Sequence, residues 1–156
     1  IDIAKAFDTV SWPFLLEVMQ HMGFRQRWRD WVSVILSTSS TKILLNGQSG
    51  RRICHARGLR QGDPLSPMLF VLVMEVLNRF LLWIEEQQLL TPLRCVAGNR
   101  VNLYADDLVV FIAPQAADLR FVKAALAIFG LASGLFSNME KSVASPIHCS
   151  DLDIAR

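Results

Sequence analysis

Tyr104-Ala105-Asp106-Asp107 sets two adjacent carboxylates between the apolar runs Val101-Asn102-Leu103-Tyr104 and Leu108-Val109-Val110-Phe111-Ile112. The pattern predicts two β-strands meeting at a tight acidic turn. Aspartate is depleted in strands and neighbouring like charges repel, so the pair calls for a compensating cation, which a divalent metal supplies. Phosphoryl transfer between two divalent ions about 4 Å apart needs carboxylates converging from separate parts of a chain. Asp2, in the apolar run Ile1 to Phe7, is the natural second contribution. Asp8 shares its face if that run is a strand, but six residues at about 3.3 Å each put it about 20 Å away. It is therefore expected to be a helix-entry or structural carboxylate. Gly58-Leu59-Arg60-Gln61-Gly62-Asp63-Pro64 offers two glycines, an amide and a guanidinium before a predicted helix, where backbone can approach a ligand and anions are favoured. Arg51, Arg52, Arg57 and Arg60 crowd one stretch. The planar fork of arginine suits phosphate, though a solvated basic face explains the composition equally well.

The elements that must position these residues follow from periodicity and caps. Ile1 to Phe7 is predicted as a strand ending near Asp8. Ser11 as cap, Pro13 in the first turn, Leu16, Met19 and Met22 on one stripe and Gly23 at the end predict a helix. From about Arg25 to Thr38, Trp28, Trp31, Val32, Ile35 and Leu36 fit a helical stripe, which assigns both tryptophans to the core rather than to base stacking. Thr41 to Leu45, Asn46-Gly47 and Arg51 to Ala56 predict a β-hairpin. Ser66-Pro67 opens a long apolar helix, with the serine as cap. Met68 to Ile84 approaches the length of a membrane span, but Glu75, Asn78 and Arg79 interrupt it, so it reads as a core helix. Gln115 to about Leu131 returns to helix, with Leu119, Val122, Leu126 and Phe129 as its apolar stripe, and Lys141 to Pro146 is expected as a last strand. Irregular alternation with two hairpins predicts an α+β architecture, an antiparallel sheet with helices packed on one face.

At 156 residues and 52% hydrophobic, the chain suits one domain with a substantial core. A net charge of +2 does not by itself announce a polyanion partner. Three cysteines, Cys54, Cys95 and Cys149, make neither a disulfide framework nor a zinc spacing, which predicts an intracellular setting. Cys54-His55 and His148-Cys149 are incidental pairs, because neighbours on a strand point to opposite faces. The first residue is isoleucine inside an apparently structured segment, so the chain is expected to be part of a longer one.

In order along the chain, Asp2-Ile3-Ala4-Lys5-Ala6-Phe7-Asp8, Gly58 through Pro67 and Tyr104-Ala105-Asp106-Asp107 resemble motifs A, B and C of reverse transcriptases. Within that family they resemble the non-LTR, LINE-type retroelement enzymes, with a plant-like character. Ser133-Gly134 through Asn138, with Lys141-Ser142, resembles motif D in weaker form. The resemblance spans nearly the whole chain and implies a polymerase palm, with most of the fingers and the thumb outside residues 1–156. It implies RNA-directed DNA synthesis with an RNA template, a DNA primer and dNTPs, and two Mg²⁺ ions, with Mn²⁺ as a substitute. Asp2, Asp106 and Asp107 would hold the metals. The backbone at Ile3 would approach the triphosphate, Phe7 would gate against a ribose 2′-hydroxyl, and Gln61 and Gly62 would line the nucleotide and template side. Lys141 would protonate pyrophosphate, although the usual lysine and apolar pair is missing near Phe136-Ser137. Arg57 and Arg60 would touch nucleic acid. No membrane partner is implied. The rival readings are an RNA-dependent RNA polymerase palm, which should lack the bulky gate, and a non-catalytic retroelement remnant.

Overall fold

A computed structural model describes residues 1–93, 100–105 and 107–147. Asp106, Cys95, His148 and Cys149 lie outside the described residues. The order is β1 (Asp2–Ile3), α1 (Ala6–Thr9), α2 (Trp12–His21), α3 (Gln26–Ser37), β2 (Ser40–Leu45), β3 (Gln48–Cys54), α4 (Ser66–Glu86), β4 (Val101–Tyr104), β5 (Asp107–Val110), α5 (Ala116–Ser133) and β6 (Ser137–Asn138). The architecture is α+β. One sheet has strand order β4-β5-β1-β6, and β2-β3 is a separate hairpin.

Helix α4 is the spine of the core. Leu69, Phe70, Val73, Met74, Leu77, Leu81 and Ile84 recur every three or four residues and are all buried. This stripe packs against α2, α5 and β4, and Leu15 and Met19 of α2 and Val122, Leu126 and Phe129 of α5 join it. Length and composition would also let α4 cross a membrane, but here its apolar stripe is core. Its N-terminus is held differently from the expected serine cap. Leu65 occupies the cap position and Ser66 is already helical and buried, while the Asp63 carboxylate accepts the Leu65 N–H at 2.8 Å. Aspartate in such an Asx turn satisfies a backbone donor two residues on.

The predicted strand from Ile1 to Phe7 is corrected. Pairing stops at Ile3, Ala4 N–H donates to the Phe136 carbonyl at 2.9 Å, and Lys5 takes a left-handed conformation with φ 47°. A strand cannot continue through that turn, so Phe7 and Asp8 sit on α1. The even-offset argument for Asp8 fails with the strand, and its side chain is exposed.

Helix α2 begins as expected, with Ser11 Oγ accepting the Phe14 N–H at 3.4 Å. Its buried face is Leu15, Val18 and Met19, and Met22 is exposed. Helix α5 likewise buries Val122, Ala125, Leu126 and Phe129 but leaves Leu119 exposed. The hairpin β2-β3 turns at Asn46-Gly47, with φ 50° and 80° as a type I′ turn requires. The expected strand over 141–146 is absent; β6 at Ser137–Asn138 fills the sheet edge instead, paired with β1.

The tryptophans of α3 are a second correction. Only Val32 and Leu36 of that helix are buried, while Trp28 is 40% and Trp31 50% exposed. Periodicity identified an apolar stripe, but the molecule buries only one edge of it.

Candidate active site

The four-stranded sheet has one dry face and one wet face. Leu108 and Ile3 point into the core. On the other face the register aligns Tyr104 with Asp107, Asp107 with Asp2, and Asp2 with Asn138, a single row across all four strands. Directly opposed residues in antiparallel strands hold their Cβ atoms about 5 Å apart on the same face. Asp2 and Asp107, separated by most of the chain, are therefore side-by-side carboxylates. Asp107 begins β5 rather than occupying the turn, which holds Ala105 at φ 54°. Asp106 lies outside the described residues. Among the described residues no group of three histidines, cysteines, aspartates or glutamates is placed to hold a metal ion. The pair at Asp2 and Asp107 offers hard oxygen donors, the chemistry that suits Mg²⁺.

Beside this row lies a cleft of about 380 Å³ lined by Asp2, Ile3, Ala4, Lys5, Ala6, Phe7, Gln61, Asn138 and Lys141. Of the residues singled out in the sequence, it gathers Asp2, Ile3, Phe7, Gln61 and Lys141. Gly62 does not line it, and Arg57 and Arg60 are exposed outside it. The Phe7 ring is half-buried and stacks on Phe70 of α4, centroids 4.7 Å apart, so its orientation is set by the core.

Two loops close the cleft by docking on the junction of α1 and α2. Gly58 N–H donates to the Val10 carbonyl at 2.8 Å and Leu59 N–H to the Phe7 carbonyl at 2.6 Å. The Trp12 indole N–H donates to the Gly58 carbonyl at 2.7 Å. A Cβ at Gly58 would stand 2.5 Å from the Asp8 carbonyl oxygen, and φ there is +86°. On the opposite side, Ser11 N–H donates to the Ser133 carbonyl at 2.8 Å, and a Cβ at Gly134 would collide with the Thr9 carbonyl oxygen. The loop bearing Gln61 and the strand bearing Asn138 are thus both referenced to the consecutive carbonyls of Asp8 and Thr9. Only glycine permits such close approach at positive φ.

Asn138, Ser142 and Trp12 were not singled out individually from the sequence. Asp2 N–H donates to Ser142 Oγ at 3.2 Å and Ser142 Oγ donates to the Asn138 carbonyl at 2.7 Å, which ties the strand carrying Asp2 to the segment carrying Lys141. No periodicity marks these residues; the pairing across the chain defines them.

The sequence that folds into this sheet and its glycine-docked loops matches a known family over most of its length. The model for reverse transcriptase (RNA-dependent DNA polymerase) matches residues 1–149, and the chain belongs to that family. Its likeness within the family is to the Pol polyproteins of non-LTR retrotransposable elements. It is 34% identical over 110 residues to the Pol polyprotein of a type-1 R2 element from Popillia japonica, covering 70% of this chain and 18% of that protein. With the type-2 R2DM polyprotein of Drosophila melanogaster it shares 33% over 114 residues, 71% of this chain and 10% of that protein. An uncharacterised mitochondrial protein of Arabidopsis thaliana is 46% identical over 69 residues, 42% of this chain and 56% of that protein. The chain thus spans a small part of the length of the R2 polyproteins it matches.

Proposed function

We propose that these residues are the palm of an RNA-directed DNA polymerase, which extends a DNA primer on an RNA template by in-line attack of the primer 3′-hydroxyl on a dNTP α-phosphate. The observation that carries this reading is the register of β1 against β5, which makes Asp2 and Asp107 neighbours on the wet face, with Asp2 also in the cleft wall. Asp2, Asp107 and Asp106 would hold two Mg²⁺ ions. When bound, such ions neutralise charge on the attacking and leaving oxygens.

The chain's own residues supply the positioning. Opposed carboxylates repel across the strands, and that repulsion makes the site a receptor for cations. The Ile3 backbone borders the place for a triphosphate. The Phe7 ring, braced by Phe70 and lining the cleft, would act as the gate against a ribose 2′-hydroxyl and so favour deoxynucleotides; such a bulky gate is not expected of an RNA-dependent RNA polymerase. Gln61 faces the same cleft from the docked loop, and Lys141, which also lines it, would give a proton to departing pyrophosphate. Gly62, Arg57 and Arg60 belong to the template side of the loop rather than to the nucleotide cleft. Template grip needs phosphate contacts and shape rather than base reading.

The fingers and thumb are assigned to the parts of the polypeptide that the R2 relatives possess beyond this region. In a polypeptide carrying them, primer extension with Mg²⁺ and dNTPs is expected, and Asp2→Asn is expected to lower it by about a thousandfold or more. Undiminished extension by that variant would overturn the assignment. The 156 residues alone are expected to give little or no processive synthesis; robust extension by them would remove the need for the flanking parts.

A further inference from the structure

Charge on this chain is segregated. Residues 25–60 hold eight of its sixteen lysines and arginines but one of its fourteen acidic residues, a local charge of +7, so the remainder carries −5. The positive segment is α3, the hairpin β2-β3 and the approach to α4. None of its eight cations has an ion-pair partner among the described residues. Lys42 and Arg52 are register partners on neighbouring strands, an arrangement of like charges that costs stability unless an anion sits between or above them.

Aromatic surface accompanies the charge. Trp28 and Trp31 stand 40% and 50% exposed, their ring centroids 5.9 Å apart, and the Arg27 guanidinium lies 4.9 Å over the Trp31 ring. Together with Val32, Val34, Ile35 and Leu65 they line an open groove of about 290 Å³. An apolar groove alone would suit any hydrophobic segment. One bordered by the Arg27 guanidinium, in a segment of charge +7, calls for a ligand carrying flat apolar rings on a polyanionic thread, which describes single-stranded nucleic acid.

We propose that α3 and the β2-β3 hairpin form a binding surface for single-stranded RNA, separate from the cleft, with Trp28 and Trp31 stacking bases and Arg25, Arg27 and Lys42 contacting phosphates. Arg52 serves the frame instead: its guanidinium donates to Ser40 Oγ and the Thr38 carbonyl, which pins the hairpin to the end of α3. The identity of the polyanion rests on the polymerase reading; the surface itself rests on charge, exposure and ring geometry. It would hold template strand beyond the reach of the cleft.

The test uses a labelled uridine oligonucleotide of about 20 residues, long enough to span groove and hairpin. Binding to the chain is expected to weaken with salt, and Arg25→Gln, Arg27→Gln and Lys42→Gln are each expected to reduce the slope of log K against log salt by about 0.7. Trp28→Leu and Trp31→Leu, which keep apolar bulk but remove the ring, are each expected to weaken binding about fivefold to a hundredfold. Circular dichroism of each variant checks the fold, and the exposed arginine substitutions provide readouts that do not disturb packing. Unchanged affinity in both tryptophan variants would overturn the stacking surface. Equal competition by polyglutamate would overturn it too, in favour of an acidic protein partner. Extension lost in Asp2→Asn is measured separately, so either proposal can fail while the other stands.

Discussion

Asp2 and Asp107 face each other across two strands, and neither has an ion-pair partner among the described residues, so the pair is built from repulsion. Replacing either by asparagine removes a like-charge cross-strand pair, worth about 0.2–1 kcal/mol. Asp107→Asn is therefore expected to raise the melting temperature while lowering activity, the usual trade at a functional site. Thermal melts with and without Mg²⁺ check this: the metal should stabilise the parent and have less effect on the variant. Phe7→Ala is expected to increase ribonucleotide incorporation, measured by competition between rNTP and dNTP; unchanged discrimination would leave the ring a role only in the core against Phe70. Trp12→Phe keeps the ring and removes the N–H that reaches the Gly58 carbonyl. Its expected effect is a raised KM for dNTP with kcat less affected, because the loop carrying Gln61 loses a tether.

The hairpin β2-β3 is the element most open to solvent. Every residue from Thr41 to Cys54 is exposed, Leu44 and Leu45 among them, and an isolated two-stranded hairpin is at best marginal in water. Hydrogen exchange is expected to show its amides opening far more readily than those of α4. A core truncation such as Leu77→Ala is expected to cost about 2–5 kcal/mol, measured by denaturant unfolding. The hairpin, its turn and α4 were all legible in the sequence, because turn chemistry and a continuous apolar stripe are local signals. The strand expected from Ile1 to Phe7 failed because a left-handed Lys5 is a tertiary choice, made when Ala4 bonds to Phe136 far along the chain. The tryptophans of α3 failed for a related reason: periodicity says which residues share a face, not whether anything covers it. The aspartate row was half legible. Residue types pointed to Asp2 and Asp107, but their register, and the involvement of Asn138 and Ser142, exist only once β6 joins β1.

At the scale of the molecule, apolar surface is open to solvent. Met68 and Val71 on α4, and Ile128 and Leu131 on α5, contribute large apolar side chains to that surface. Dye that reports apolar surface is expected to bind the native chain and to bind less, per mole, when these residues sit in a longer polypeptide. Equal binding in both would mean that the flanking regions do not cover them. One buried ionic group runs against this openness. Arg100, 2% exposed, donates to Glu85 Oε1 at 3.0 Å and to the Thr91 carbonyl at 2.8 Å, and Thr91 N–H donates to the buried Asp118 carboxylate at 3.1 Å. This network ties the base of the acidic hairpin to the ends of α4 and α5, so the sheet edge that carries the hairpin is held by charge as well as by packing.

The docking of Gly58 and Gly134 on the carbonyls of Asp8 and Thr9 also has a meaning at the level of the gene. Any single-base change at the first or second position of a glycine codon either adds a side chain or ends the message. At these two positions every such side chain would drive a cleft wall away from the junction that locates it. The two codons are therefore early casualties of mutational drift, and a copy that keeps its aspartates but has lost either glycine would encode the paired carboxylates without the cleft walls that frame them.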